Sequence, residues 1–186
     1  MTRTIAFLDS CVLYPFSLRD ILIQFSVEAV FQAKWSSQVR EEVIRNVEAN
    51  NPNAKGKLNR TFQLMEQAIP DFSSEPSVET RKSVKETTTD AKDVDILSAA
   101  IDGGCTHLVT SNLKDFDIAF ASARGVSVIH PDEFLTNLIN NNPSAAKAGF
   151  DAMIARCKKP PRSKEDYYEA FKANHLPKAA QALAAL

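Results

Sequence analysis

A chain of 186 residues with 44% hydrophobic content is long enough to bury one sizeable core, with room for a small appendage. Lys and Arg total 22 against 23 Asp and Glu, so the formal net charge of −1 gives the whole chain no pull toward nucleic acid, and only a local basic surface could supply one. Three scattered cysteines (Cys11, Cys105, Cys157) without CxxC or metal-type spacing, no stretch near the ~20 apolar residues of a membrane span, and an acid breaking the first apolar run before signal-peptide length all point to a soluble, cytoplasmic protein.

In chain order, Ile5-Ala6-Phe7-Leu8 reads as a short buried strand that ends on Asp9. The apolar positions from Leu18 to Phe31 fit a largely buried helix, which could belong to the core or to an interface. Ser36 or Ser37 can cap a second helix running to about Glu48. Pro52 starts a third, with Leu58, Phe62, Met65 and Ile69 on one face and Pro70 as its stop. Residues 71–89 are polar and read as an exposed connection of unassigned secondary structure. Asp90 opens a helix ending at Gly103-Gly104, followed by a strand over 106–110, a loop over 111–117 and a strand over 126–129. His130-Pro131-Asp132 caps a helix through Leu138. Strands separated by helices of this length predict an α/β fold with a parallel sheet. From Pro143 three short helical stretches follow, punctuated by Pro160-Pro161 and Pro177, with eight basic residues against four acidic ones.

Four regions offer acids near strand ends or helix starts: Asp9, Glu41/Glu42, Asp90/Asp93/Asp95 and Asp115/Asp117. At about 100° per residue, Glu42 and Asp93 border the apolar stripes of their helices, whereas Glu41 and Asp95 lie about 160° away. Each has an ordinary explanation: Asp90-x-x-Asp93 resembles a capping box, Glu42 a solvated helix acid and Asp115 a turn former. Asp9 is harder to dismiss, because a carboxylate at the tip of a buried strand is costly unless paired or coordinated. Gathered at one mouth, such acids would repel one another unless a hard divalent cation joined them. Thr110 and Asn112 would supply a hydroxyl and an amide at that mouth.

The ordered segments LDSCVLYP (8–15), WSSQVREEVIRN (35–46), DAKDVDILSAAIDGG (90–104), LVTSNLKDF (108–116) and HPDEFL (130–135) resemble the PIN-domain ribonucleases. The chain looks most like the VapC-type toxins of bacterial type II toxin–antitoxin systems, in the subgroup with a C-terminal helical extension. The resemblance implies a Rossmann-like PIN nuclease domain over residues 1–140 and a helical extension over 141–186. It also implies Mg²⁺- or Mn²⁺-dependent cleavage of RNA phosphodiesters, with tRNA or rRNA as the target class. A homodimer and a cognate antitoxin are the implied protein partners. By motif, the family acids fall on Asp9, Glu42, Asp93 and Asp115, as catalytic residues and metal ligands, with Thr110, Asn112 and Asp90 in support. Many family members carry an acid where this chain has Asn112, so Asp115 and Asn112 compete for the fourth place. Glu42 would complete a second metal site or act as general base.

An acidic pocket needs a basic rim to hold RNA, and Arg19, Arg40, Lys114, Lys158, Lys159 and Arg162 are the candidates. The cluster over 156–164 reads equally as a solvated linker. Three alternatives stand beside this reading. The first is a PIN nuclease of RNA processing outside any toxin pair, and the second is a catalytically inactive PIN-fold binding module. The third, a phosphoaspartyl phosphatase, is disfavoured because Cys11 stands where that chemistry needs a second acid.

Overall fold

The computed structural model describes residues 4–158 and 161–186. Four short strands, β1 (Ile5–Leu8), β2 (Gln32–Lys34), β3 (His107–Val109) and β4 (Ser127–Ile129), form one parallel sheet in the order β2-β1-β3-β4. Leu8 pairs with Val109 and Val109 with Ile129, so the next residues, Asp9, Thr110 and His130, share one edge of the sheet. The chain leaves β1 for β2 on one side and returns to β3 on the other. The switch point of the topology therefore lies between β1 and β3, where open α/β sheets bind their ligands.

Eleven α-helices are assigned among the described residues, and they flank the sheet. The turn α1 (Ser10–Leu13) follows Asp9, and Pro15 then opens α2 (Phe16–Val27). The apolar run through Phe31 does not continue as helix. Ala29 takes a positive φ of 56°, which ends α2, and Gln32–Lys34 becomes an edge strand. Of the two serines that could cap it, Ser36 caps α3 (Ser37–Asn50) by accepting from the Val39 N–H. The proline-started helix is a 3₁₀ turn at Pro52–Ala54, then a left-handed Gly56 and α4 (Lys57–Ala68). Within the polar 71–89 segment lies α5 (Val78–Lys85), which packs on α6 (Val94–Asp102). Gly104, at φ 61°, is the left-handed residue that stops α6. The loop after β3 contains a 3₁₀ turn (Leu113–Asp115), and α7 (Ile118–Ala123) precedes β4.

The last four helices are α8 (Pro131–Asn141), α9 (Pro143–Arg156), α10 (Lys164–Ala173) and α11 (Pro177–Ala184). They do not form a detached appendage. α9 and α10 pack on α2, α11 packs on α8, and Phe150, Tyr167, Phe171 and Leu183 share one apolar core with the residues of β1 and β3. No described helix is long and apolar enough to cross a membrane.

Candidate functional site

Asp9 is only 5% exposed, and both of its carboxylate oxygens accept hydrogen bonds. One oxygen accepts the Ser10 N–H at 2.6 Å; the other accepts the Thr110 hydroxyl at 2.7 Å and the Cys11 thiol at 3.2 Å. Thr110 is itself buried, and its oxygen accepts the Asn112 N–H. The acid at the end of β1 is thus locked to the loop leaving β3.

A second wall comes from two tight turns. Asp90 accepts from the Lys92 N–H in an Asx turn, and the Asp93 N–H donates to the Asp90 carbonyl. The Asp90 N–H donates to the Asp115 carbonyl at 2.8 Å, fastening this turn to the 3₁₀ turn at 113–115. Asp93 and Asp115 are thereby held side by side, their side chains 15% and 17% exposed. The capping-box reading of Asp93 fails. It is the N-cap residue of α6, yet its side chain makes no capping hydrogen bond, and its Oδ2 is buried without a hydrogen-bond partner. Burial first, then the Asp9 carboxylate, push the Asp93 carboxyl up to about 6; Lys92 opposes them by more than either Asp115 or Asp90 adds.

The Lys92 ammonium lies among three of these acids, 3.6 Å from Asp115, 3.9 Å from Asp90 and 4.0 Å from Asp93. Those carboxylates, Asp115 first, raise its own pKa. Among the described residues, no three acid, His or Cys side chains stand close enough to form a ready-made metal cage. The donor set nonetheless suits a hard divalent cation: oxygen ligands from Asp9, Asp93 and Asp115, one of them an orphaned buried carboxylate oxygen of raised pKa.

Glu42 occupies a different wall. Half-buried on α3, as the wheel geometry requires, it lines a groove of about 410 Å³ together with Ser10, Cys11, Tyr14, Asn46, Asn50 and Asn112. The groove therefore begins beside Asp9 and runs along α3. Asn112 is exposed at its rim and Asp115 lies behind with Asp93, so the two competitors face different parts of the mouth. Glu41 is exposed, while Asp95 pairs with Arg81 of α5 at 2.7 Å and Asp117 caps α7 through the Phe120 N–H.

Several expected RNA contacts are committed elsewhere. Arg19 is 7% exposed and donates to the carbonyls of Leu13 at 2.6 Å and Tyr14 at 3.2 Å, closing the α1–α2 turn, so it is not a surface phosphate contact. Arg40 leans on Glu66 of α4 at 3.6 Å. The 156–164 cluster is largely a fastening. Arg156 pairs with Asp20 of α2, Arg162 stacks over Phe16 and Tyr167, and Lys164 pairs with Asp151. Lys114 and Lys158 are exposed, and Lys159 lies outside the described residues. Sequence reasoning missed Lys92, although its place between Asp90 and Asp93 was a visible signal, and it missed Cys11 as a donor to Asp9.

Comparison with known proteins adds one finding. Residues 131–185 match the family model described as the VapC50 C-terminal domain, a span that starts at α8 and takes in α9–α11. No curated protein and no solved structure matches the chain. The helices α8–α11 are therefore similar to the C-terminal domain of a VapC protein, and they follow an α/β unit with a parallel sheet of the kind that a PIN-like fold has.

Proposed function

We propose that the chain is a metal-dependent endoribonuclease of the PIN type, acting as the toxin of a bacterial toxin–antitoxin pair on tRNA or rRNA. The observation that carries this reading is that Asp9, Asp93 and Asp115 lie within electrostatic reach of one another near the β1/β3 switch point, with a buried Asp93 oxygen that no hydrogen bond satisfies and that Lys92 approaches only to 4.0 Å. The match of the C-terminal helices to a VapC domain supports the family assignment.

A hard divalent cation, Mg²⁺ or Mn²⁺, held by these three acids would supply a water acidified toward neutral pH and positive charge against the phosphate. Thr110 and the Ser10 N–H hold the Asp9 carboxylate in one orientation, so little reorganisation accompanies reaction. Asp90 fixes the turn that aims Asp93. Glu42, which lines the groove beside Cys11 and Asn112, would take a proton from an attacking water. The exposed Lys114 sits next to Asp115, where its charge attracts the RNA backbone.

A homodimer partner or an antitoxin has apolar surface to cover along α2 and α4, where Phe16, Val27 and Leu64 are each about half exposed. The test is incubation of purified protein with total RNA in Mg²⁺ or Mn²⁺ against EDTA, with the cut ends mapped. Wild type should cut at defined sites only with metal, and Asp9→Asn should cut at none while keeping its far-UV spectrum. Wild-type cleavage by Asp9→Asn overturns the assignment. Growth arrest on expression, relieved by a neighbouring gene product, separates a toxin from an RNA-processing nuclease.

A further inference from the structure

The groove along α3 has a composition that the cleavage chemistry does not call for. Glu42, Asn46 and Asn50 recur at intervals of four, which stacks them on one face of α3 as a stripe running away from Asp9. Tyr14 closes the opposite side. Its hydroxyl accepts from the Asn50 amide at 3.2 Å, and that same amide donates to the Asn46 carbonyl at 2.9 Å. The Asn50 side-chain oxygen is left free to accept, and neither the Asn46 nor the Asn112 side-chain amide has a protein partner among the described residues.

No Lys or Arg lines this groove, and it contains one carboxylate. A phosphate would meet repulsion there and no charged donor. The wall instead offers amide donors, amide acceptors and an aromatic face, which is the chemistry that recognises an unpaired nucleobase by its hydrogen-bonding edge. At about 410 Å³ it falls in the size range of small-molecule sites.

We propose that Tyr14, Asn46 and Asn50 form a subsite for the unpaired base flanking the scissile phosphate, and that this subsite sets the base preference of cleavage. This rests on the ribonuclease reading above. The backbone phosphate sits at the acid cluster, the flanking base enters the α3 groove, Tyr14 offers it a ring face, and the two asparagines read its edge.

The test is cleavage of a single-stranded RNA pool randomised around the cut, with the ends sequenced. The proteins are full-length wild type, Asn46→Ala/Asn50→Ala, and a control, Ile118→Ser, on exposed α7. Wild type and control should share a base preference at one position beside the cut. The double variant should flatten that preference by on the order of tenfold, as expected for the loss of a good bidentate base contact. A double variant that keeps the wild-type preference, or a wild type that cleaves without preference, overturns the subsite and leaves the nuclease reading standing. If wild type cleaves nothing, the nuclease reading fails, and the subsite is then decided by chemical-shift titration with the four nucleoside monophosphates. Selective shifts at Asn46 and Asn50 that vanish in the double variant support it, and their absence in wild type overturns it.

Discussion

Asp93 combines three properties that a capping acid does not need: partial burial, a buried oxygen without a hydrogen bond and a pKa of about 6. In the metal-free protein this has a definite sign. The folded state holds a proton on Asp93 up to about pH 6, whereas the unfolded chain releases it near the ordinary value of 3.8. The stabilising contribution is therefore complete below about pH 4 and lost as pH rises through 6. Asp102, Asp117 and Asp151 are all lowered, so their opposite effect falls below pH 4 and does not overlap. His107, whose pKa burial lowers, works the other way within this window, because its contribution is lost as pH falls below 6.5, so the readout is the difference between proteins. Relative to Asp93→Asn, the wild-type melting temperature in EDTA should decline from pH 4 to pH 6.5. Because Lys92 lowers the Asp93 pKa, Lys92→Met should move the decline to higher pH. An identical profile in all three proteins would show that the cluster is not electrostatically coupled. At this scale the strand-end position of Asp9 was legible from IAFL followed by an acid, and the half-buried faces of Glu42 and Asp93 from helical periodicity. Thr110 was legible as a hydroxyl just beyond its strand, whereas the Lys92 contacts were not, because they depend on how two irregular turns are stapled together rather than on any repeat.

Among the elements, α8 and α9 show how the C-terminal layer is fixed. Asp132, in the first turn of α8 and 7% exposed, accepts from the Ala179 N–H at 2.8 Å and the Lys178 N–H at 3.3 Å. It thus caps α11 from a distance, a carboxylate at a helix N-terminus. Asp132→Ala leaves those donors unpaired and should cost about 1–3 kcal/mol, read as a lower urea midpoint with unchanged slope. On α9, a Cβ added at Gly149 would lie 3.2 Å from the ring of Phe25 on α2 and 3.3 Å from Glu28, the residue that ends it. Gly149→Val should separate the two helices and destabilise by about 1–3 kcal/mol in the same measurement. The residue pattern gave the helices of this layer their boundaries, since Pro143, Pro160-Pro161 and Pro177 punctuate them. It hid β2, because three residues are too few to show alternation and Val30-Phe31 prolong the apolar run of α2. It also hid α5, whose stability comes from packing on α6 and the Arg81–Asp95 pair rather than from a strong apolar stripe.

On the scale of the molecule, the C-terminal layer and the acidic mouth are joined through α2. From its outer side α2 receives a polar clasp. Arg156 bonds Asp20 at 3.0 Å and Gln24 at 2.5 Å, and the Tyr167 hydroxyl bonds Asp20 at 2.7 Å. Near its first turn, Arg162 stacks on Phe16 at 4.9 Å, and Arg19 holds the carbonyls of α1, the turn that begins at Asp9. The layer also completes the core, since Phe150, Tyr167 and Phe171 are fully or almost fully buried against it. A basic, proline-broken tail gives no hint of this in sequence, because composition reports charge and not the partner that neutralises it. The consequence is that residues 1–142 should not stand alone. A fragment ending there uncovers α2 and the α11-facing side of α8, and should bind a hydrophobic dye, aggregate and lose the single cooperative transition expected of the full chain. Tyr167→Phe in the full chain is the milder probe: it removes one hydroxyl donor from the partly buried Asp20 and should lower stability by about 1–3 kcal/mol without unfolding the protein. If the fragment melts cooperatively at the full-length temperature, the layer is an ornament on an independent nuclease unit. If it collapses as expected, the Asp9 wall of the acidic mouth is held in place through α2 by contacts such as Gln24–Arg156, whose partners stand 132 residues apart in sequence.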